Sequence, residues 1–300
     1  MSPVSHQRWI EDPDLFMAMD DLELVARGVV EGALHGLHRS PYLGFSAEFD
    51  AHREYQPGDD LRHVNWNLWA RTDRLYVKQY KSDTNLNLYI LLDASASMLC
   101  RHGPAPKWRY GARAAAALAY LALQTRDAAG VFLLGDRIRD YVPPKVRPGQ
   151  FHEILSVLEH AAPVGVTGLR EALEEALQLC RRRGVVVLIS DLFDVEDAFF
   201  EGLDNLRFYG HEIILVNVLD PWEEQLPEFG QYEFRDLENG EVIRANAAAI
   251  RRSAHENVTA WRDRLRRRCV DAGIDFLPVT TATPLSDVLI DYLLQRSGTT

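Results

Sequence analysis

The stretch Leu86-Asn87-Leu88-Tyr89-Ile90-Leu91-Leu92-Asp93-Ala94-Ser95-Ala96-Ser97-Met98 decides the fold. Residues 86–93 are an apolar run of strand length, and the run stops at a carboxylate followed by alternating alanines and serines. A strand ending on Asp-x-Ser-x-Ser sets oxygen-bearing side chains in the loop beyond its carboxyl end. In an open α/β sheet, ligands bind in that loop region, near the point where strand order reverses.

Outward from this stretch, strands and helices alternate. Helical periodicity covers 108–124, 150–160, 168–182, 195–208, 246–271 and 284–296, and strands are read at 129–134, 138–142, 185–190, 212–219 and 274–279. The run 185–190 is continuously apolar, as expected of a strand buried on both faces. This alternation predicts an α/β protein with a doubly wound, mostly parallel, Rossmann-type sheet. An acidic, proline-bearing loop at 221–230 leads into a hairpin at 231–244 that turns on Asn239-Gly240, so an insertion is expected near 221–245.

The N-terminal part differs. Leu15, Met19, Leu22, Val25, Val29, Ala33 and Leu37 recur at helical spacing over 15–38, and Pro41 ends the helix. Residues 42–80 are aromatic-rich with a Pro57-Gly58-Asp59 turn, and 75–80 alternate like a half-buried strand. The expected organisation is a small mixed module over 1–82 and an α/β domain over 83–300.

Composition narrows the function. Lys and Arg number 33 against 44 Asp and Glu, a net charge of −11, which opposes broad binding to nucleic acid or acidic membrane. Cys100, Cys180 and Cys269 form no CxxC pair, so they are expected as free thiols in a reducing cytoplasm. The N-terminus lacks the basic and apolar regions of a signal peptide, and no apolar run approaches the roughly 20 residues that span a bilayer. A cytoplasmic protein without membrane or nucleic-acid partners is expected.

The chemistry-bearing residues follow strands. Asp93, Ser95 and Ser97 follow the first, Asp191 follows 185–190, and Thr167 lies in the Gly165–Gly168 loop. Two carboxylates and three hydroxyls on one rim form an all-oxygen set, suited to Mg²⁺, with Mn²⁺ or Ca²⁺ as alternatives, rather than zinc. Read structurally, the same residues are strand-end turn and capping groups.

The arrangement resembles the von Willebrand factor A domain and its metal-ion-dependent adhesion site over about 86–296, with all five positions occupied. The resemblance makes Ser95 and Ser97 direct ligands, Thr167 direct or water-mediated, and Asp93 and Asp191 carboxylates acting mainly through water. It also implies a protein partner whose acidic side chain completes the shell. Leu192 departs from the glycine that many A domains place after the second aspartate. Upstream, Arg53, Tyr55, Pro57, Gly58, Asp59, Asp60, Arg62, Trp66, Arg71 and Lys78 resemble the signature of domain-of-unknown-function family 58, which precedes an A-type domain carrying DxSxSM. That resemblance implies an adaptor or assembly role beside a MoxR-type AAA+ ATPase. The interleaved basic and aromatic residues of 53–78 also suit a nucleic-acid surface, but the acidity of the chain favours an internal network with Asp59, Asp60 and Asp73.

Enzymatic templates are missing: no GxxxxGK[ST], no GxGxxG after a strand, no GxSxG. No catalytic residue is assigned and no enzyme is expected. The alternative is a Mg²⁺-dependent hydrolase of phosphoesters in which Asp93 and Asp191 position a water. Two further groups read as solvated faces, with a partner-facing surface as the alternative for each: the acidic Glu223, Glu224 and Glu228, and the arginines 262, 264, 266, 267 and 268 opposite an apolar stripe of Ile250, Ala254, Val258, Trp261, Leu265 and Cys269.

Overall fold

A computed structural model describes residues 21–39, 52–54, 76–78, 86–193, 195 and 197–297. The chain divides into two compact units: residues 37–85 form one, and those before and after them form the other.

α1 (Leu22–Arg39), which belongs to the larger unit through residue 36, precedes β3 (Asn87–Asp93), α2 (Lys107–Gln124), β4 (Ala128–Leu134) and β5 (Ile138–Lys145) of that unit. Then come α3 (Gln150–His160), α4 (Leu169–Leu179), β6 (Gly184–Ser190), α5 (Asp197–Phe208) and β7 (Glu212–Leu219). A short α6 (Pro221–Glu224) leads to the hairpin β8 (Gln231–Arg235) and β9 (Val242–Asn246). The long α7 (Ala247–Asp271), β10 (Asp275–Thr280) and α8 (Leu285–Ser297) complete the unit.

Among the described residues, six strands form the central sheet in the order β10-β7-β6-β3-β4-β5, parallel except for β5. The doubly wound, mostly parallel sheet read from the sequence is therefore present. The chain leaves β3 toward β4 on one side, whereas β6 leads to β7 on the other. The reversal falls between β3 and β6, where ligand sites of such sheets lie.

Because side chains alternate across a strand, β3 splits its apolar residues between two cores. Leu88, Ile90 and Leu92 face one layer, packed with Ala115, Ala116 and Ala119 of α2 and with Ile154 and Leu158 of α3. Alanine at those positions lets α2 lie close against the sheet. Leu22, Val25, Ala26, Val29 and Val30 of α1 join this same layer. Tyr89 and Leu91 face the other, with Leu173 of α4, Leu203 of α5 and Leu265 of α7.

The strand expected over 138–142 runs on through Pro143 and Pro144 to Lys145. Proline is tolerated there because, among the described residues, β5 is the sheet edge and has no further strand to donate to. The pairing of β4 with β5 is irregular between Ala129 and Val131. At Gly130 an added Cβ would lie 2.5 Å from the Val142 carbonyl and 2.6 Å from the Pro144 nitrogen.

In the smaller unit, β1 (His52–Glu54) pairs antiparallel with β2 (Tyr76–Lys78), Arg53 opposite Val77. This ribbon contains the backbone of Arg53 and Lys78. The signature residues Tyr55, Pro57, Gly58, Asp59, Asp60, Arg62, Trp66 and Arg71 lie outside the described residues. Among the described residues, no helix is long and apolar enough to cross a membrane.

The close approach at Gly130 gives a first prediction. Gly130→Ala pushes a methyl into edge-strand backbone and lowers unfolding stability by about 1–3 kcal/mol, read as a lower urea midpoint. An unchanged midpoint would show that the edge yields freely.

Candidate metal centre

β3 delivers Asp93 to the rim buried, at 1% exposure. Its loop is fixed by backbone bonds: Ala94 N–H donates to Leu134 O at 2.8 Å, Ala96 N–H to Gly165 O at 2.9 Å, and Val164 N–H to Ala94 O at 3.0 Å. Thr167 comes in on the loop ahead of α4. Gly168 N–H donates to Gly135 O at 2.8 Å, and a Cβ at Gly168 would lie 2.6 Å from the Asp136 carbonyl. Only glycine allows that approach, which carries Thr167 to Asp93.

Four of the five rim residues join through hydrogen bonds. Asp93 Oδ1 accepts from Ser95 N–H at 2.9 Å and from the Thr167 hydroxyl at 2.8 Å. Asp93 Oδ2 accepts from the Ser190 hydroxyl at 2.7 Å, linking β3 to β6 across the topological switch. The Ser95 and Ser97 hydroxyl oxygens are 2.9 Å apart. Asp191, the fifth, lines the same cleft of about 580 Å³ as Asp93, Ser97 and Thr167. Its Oδ2 accepts from the Lys107 ammonium at 2.7 Å, and its carbonyl from Asn217 Nδ2 at 2.6 Å. Leu192, which stands where many A domains have glycine, has φ +56°. Its fully buried side chain offsets left-handed strain of about 1–2 kcal/mol.

Sequence reasoning missed Lys107, and with it the role of Glu223. Lys107 is fully buried, donates to Asp191 and, at 2.7 Å, to Glu223 Oε1, and lies 5.2 Å from the Phe193 ring centroid. Burial pushes its pKa down, but the two carboxylates outweigh burial and hold it above the ordinary lysine value. A lysine in the first turn of a helix opposes the macrodipole, which was the available signal. Glu223 is thus no solvated loop residue. It also accepts from Asp220 N–H in a capping box on α6, and burial pushes its pKa up despite Lys107.

Arg262 likewise departs from the expected wet face. Its side chain is 12% exposed and donates to Asn217 Oδ1 at 2.8 Å, Glu224 Oε1 at 2.9 Å and Val279 O at 3.0 Å. The apolar stripe of the helix agrees with its sequence pattern, but the Asn217 side-chain oxygen on β7, the Val279 carbonyl of β10 and the Glu224 carboxylate draw Arg262 inward. Asn217, positioned by Arg262, then holds the Asp191 backbone.

The donor set fits a hard divalent cation. Octahedral ligands at 2.0–2.1 Å from Mg²⁺ sit about 3 Å apart along an edge, and the 2.9 Å between the Ser95 and Ser97 oxygens matches such an edge. Charge points the same way: Lys107 serves Asp191 and Glu223, whereas Asp93 is surrounded by hydroxyls and a backbone N–H. Burial, and then the neighbouring Asp191, push the Asp93 carboxyl above its ordinary pKa. A dication would relieve both effects.

Beside this rim, Cys100 Sγ lies 3.8 Å from His102 Nδ1, and Nδ1 lies 3.6 Å from Asp220 Oδ1. These ligand atoms could also surround a metal ion. Asp220, however, already accepts three backbone N–H groups, from His102, Gly103 and Trp222. The Cys100 thiol is pushed up to about 12 by burial and by Glu223, which disfavours the thiolate a metal needs. The all-oxygen rim is the better-built site.

A family model described as "Protein of unknown function DUF58" matches residues 51–264. The uncharacterized protein Rv1480 of Mycobacterium tuberculosis is 32% identical over 297 residues, covering 96% of this chain and 92% of that protein. Among solved structures, the conserved hypothetical protein BatB of Bacteroides thetaiotaomicron is 16% identical. The match covers 71% of this chain and 99% of that one, with a TM-score of 0.47. The SpRpn10 VWA domain is 12% identical and covers 69% of this chain and 94% of its own, with a TM-score of 0.39.

Lys107→Met leaves the buried Asp191 and the half-buried Glu223 without their cation, and is expected to cost about 3–5 kcal/mol of unfolding free energy. In a double-mutant cycle the added Glu223→Gln recovers part of that loss. Strict additivity would contradict the coupling described.

Proposed function

We propose that this chain, which belongs to the DUF58 family, captures a protein partner through a divalent cation held at the rim of its sheet. The observation that carries the reading is the oxygen ring: Asp93 gathers Ser95, Thr167 and Ser190, and the buried Ser95 hydroxyl stands at octahedral-edge spacing from that of Ser97, which lines the cleft.

In this reading Ser95 and Ser97 ligate the cation directly. Asp93 orients Thr167 and holds a water with its carboxylate, and Asp191, fixed by Lys107 and Asn217, holds another. Hydroxyl ligands neutralise none of the cation's charge, so a carboxylate from a partner is attracted into a partly desolvated site. The cation supplies Lewis acidity toward that carboxylate, and the chain supplies position. Thr167 sits at the loop that could shift between direct and water-mediated contact. Mg²⁺ is the preferred ion, and a MoxR-type AAA+ ATPase is the partner to test first, on the strength of the signature resemblance.

Metal binding to the native state raises stability by RT ln(1 + [L]/Kd), about 2.7 kcal/mol at 100 Kd. The thermal midpoint of the full chain is therefore expected to climb with Mg²⁺ or Mn²⁺, and Ser97→Ala to abolish the climb while keeping the metal-free midpoint. Capture of a purified MoxR-type ATPase should need the metal and fail with EDTA. Equal midpoint shifts in the variant, or capture indifferent to EDTA, would overturn the reading.

A further inference from the structure

The β8–β9 hairpin carries an acidic turn of fixed shape. Asp236 Oδ1 accepts from Glu238 N–H at 2.8 Å and Asn239 N–H at 3.3 Å, and Asn239 Oδ1 accepts from Glu241 N–H at 2.7 Å. Two backbone bonds close it: Gly240 N–H to Asp236 O at 3.0 Å and Asp236 N–H to Glu241 O at 2.8 Å. Asp236, Leu237 and Asn239 are exposed, but Glu238 between them is half-buried. Arg235, Asp236, Leu237 and Glu238 all line the cleft that Asp93, Ser97, Thr167 and Asp191 line, and of these four only Glu238 is half-buried. Its carboxylate lies within electrostatic range of Ser97, Asp191 and Asp93.

Arg170 and Arg235 also line the cleft, but Arg170 pairs with Glu174 and Arg235 with Glu233. A glutamate on an exposed turn gains full hydration by pointing outward, and moving it toward two buried carboxylates costs Coulomb energy. A dication between them reverses the sign. The hairpin is tied at its base, by Ala247 N–H to Gly230 O at 2.9 Å and by Tyr232 packed edge-on against Trp222 at 5.3 Å. Its two strands are largely exposed.

We infer that Glu238 is the chain's own carboxylate ligand to the rim cation, occupying the position beside Ser97 that a partner's acid would take, so that hairpin and partner compete for one site. The inference rests on the cation reading of the rim. It gives the insertion a function of its own, since the cation is held closed in the free protein and only an acid that displaces Glu238 gains access.

The test uses Mn²⁺ as probe with the full chain, its Glu238→Gln and Glu238→Ala variants, and Ser97→Ala. Free Mn²⁺ is measured by electron paramagnetic resonance and bound water by proton relaxation. Loss of one charged ligand is expected to weaken Mn²⁺ by about tenfold, since affinity follows ligand charge. The bound ion should also relax water more strongly, because a water replaces the carboxylate. Added acetate should quench that gain in Glu238→Ala and leave the wild type unaffected. Unchanged affinity and relaxation in both Glu238 variants, with binding lost in Ser97→Ala, would overturn the Glu238 inference and leave the rim standing. Wild-type protein that binds no Mn²⁺, or Ser97→Ala that binds as tightly as wild type, would overturn both.

Discussion

One buried carboxylate organises this molecule's rim. Asp93 sits at the end of the central strand, where the winding of the sheet reverses, and accepts from a backbone N–H, a threonine from the loop ahead of α4, and a serine from the adjacent strand. Each donor comes from a different part of the chain. Hydrogen bonds to an ionised acceptor are about twice as strong as neutral ones, and here they tie β3, β6 and the 164–168 loop into one surface. The sheet supplies rigidity; Asp93 converts it into a preorganised ring of hydroxyls.

Charge is distributed unevenly around that ring. Lys107 is consumed by Asp191 and Glu223, and Arg262 by Asn217, Glu224 and a strand carbonyl. These cations position the walls of the site and leave its centre negative. The carboxylates of Asp93, Asp191 and Glu238, with those of Glu171, Glu223 and Asp236, then outnumber Arg170 and Arg235 around a cleft that the Ser97 and Thr167 hydroxyls also line. Hard dications take such environments because oxygen ligands and excess negative charge both favour them. The mixed Cys100–His102–Asp220 group lacks this: its carboxylate accepts three backbone N–H groups, and burial and Glu223 raise the pKa of its thiol.

Much of this was legible in the sequence because it depends on local pattern. Apolar runs gave the strands, helical spacing gave the stripe from Ile250 to Cys269, and Asn239-Gly240 gave the hairpin turn. The five rim residues were legible because topology places strand ends together. The missed features are those set by tertiary contact. Nothing within the sequence neighbourhood of Lys107 shows that Asp191 and Glu223, 84 and 116 residues away, converge on it. Arg262 matched its helix's polar face and still turned inward, since strand-end acceptors outweigh hydration there. Pro143 and Pro144 read as a strand end, because being an edge is a property of the sheet. Glu238 belonged to a recognised hairpin, yet the direction in which a hairpin folds is fixed by what its base packs on.

The most direct test is diffraction from crystals of the full chain grown with Mn²⁺, collected to show its anomalous scattering. The account requires a single strong peak about 2.1–2.2 Å from the Ser95 and Ser97 hydroxyl oxygens, the distance expected of a hard dication with oxygen ligands, and within direct reach of the Glu238 carboxylate. A peak at Cys100, His102 and Asp220 with none at the serines, or a rim without manganese under saturating conditions, would contradict it.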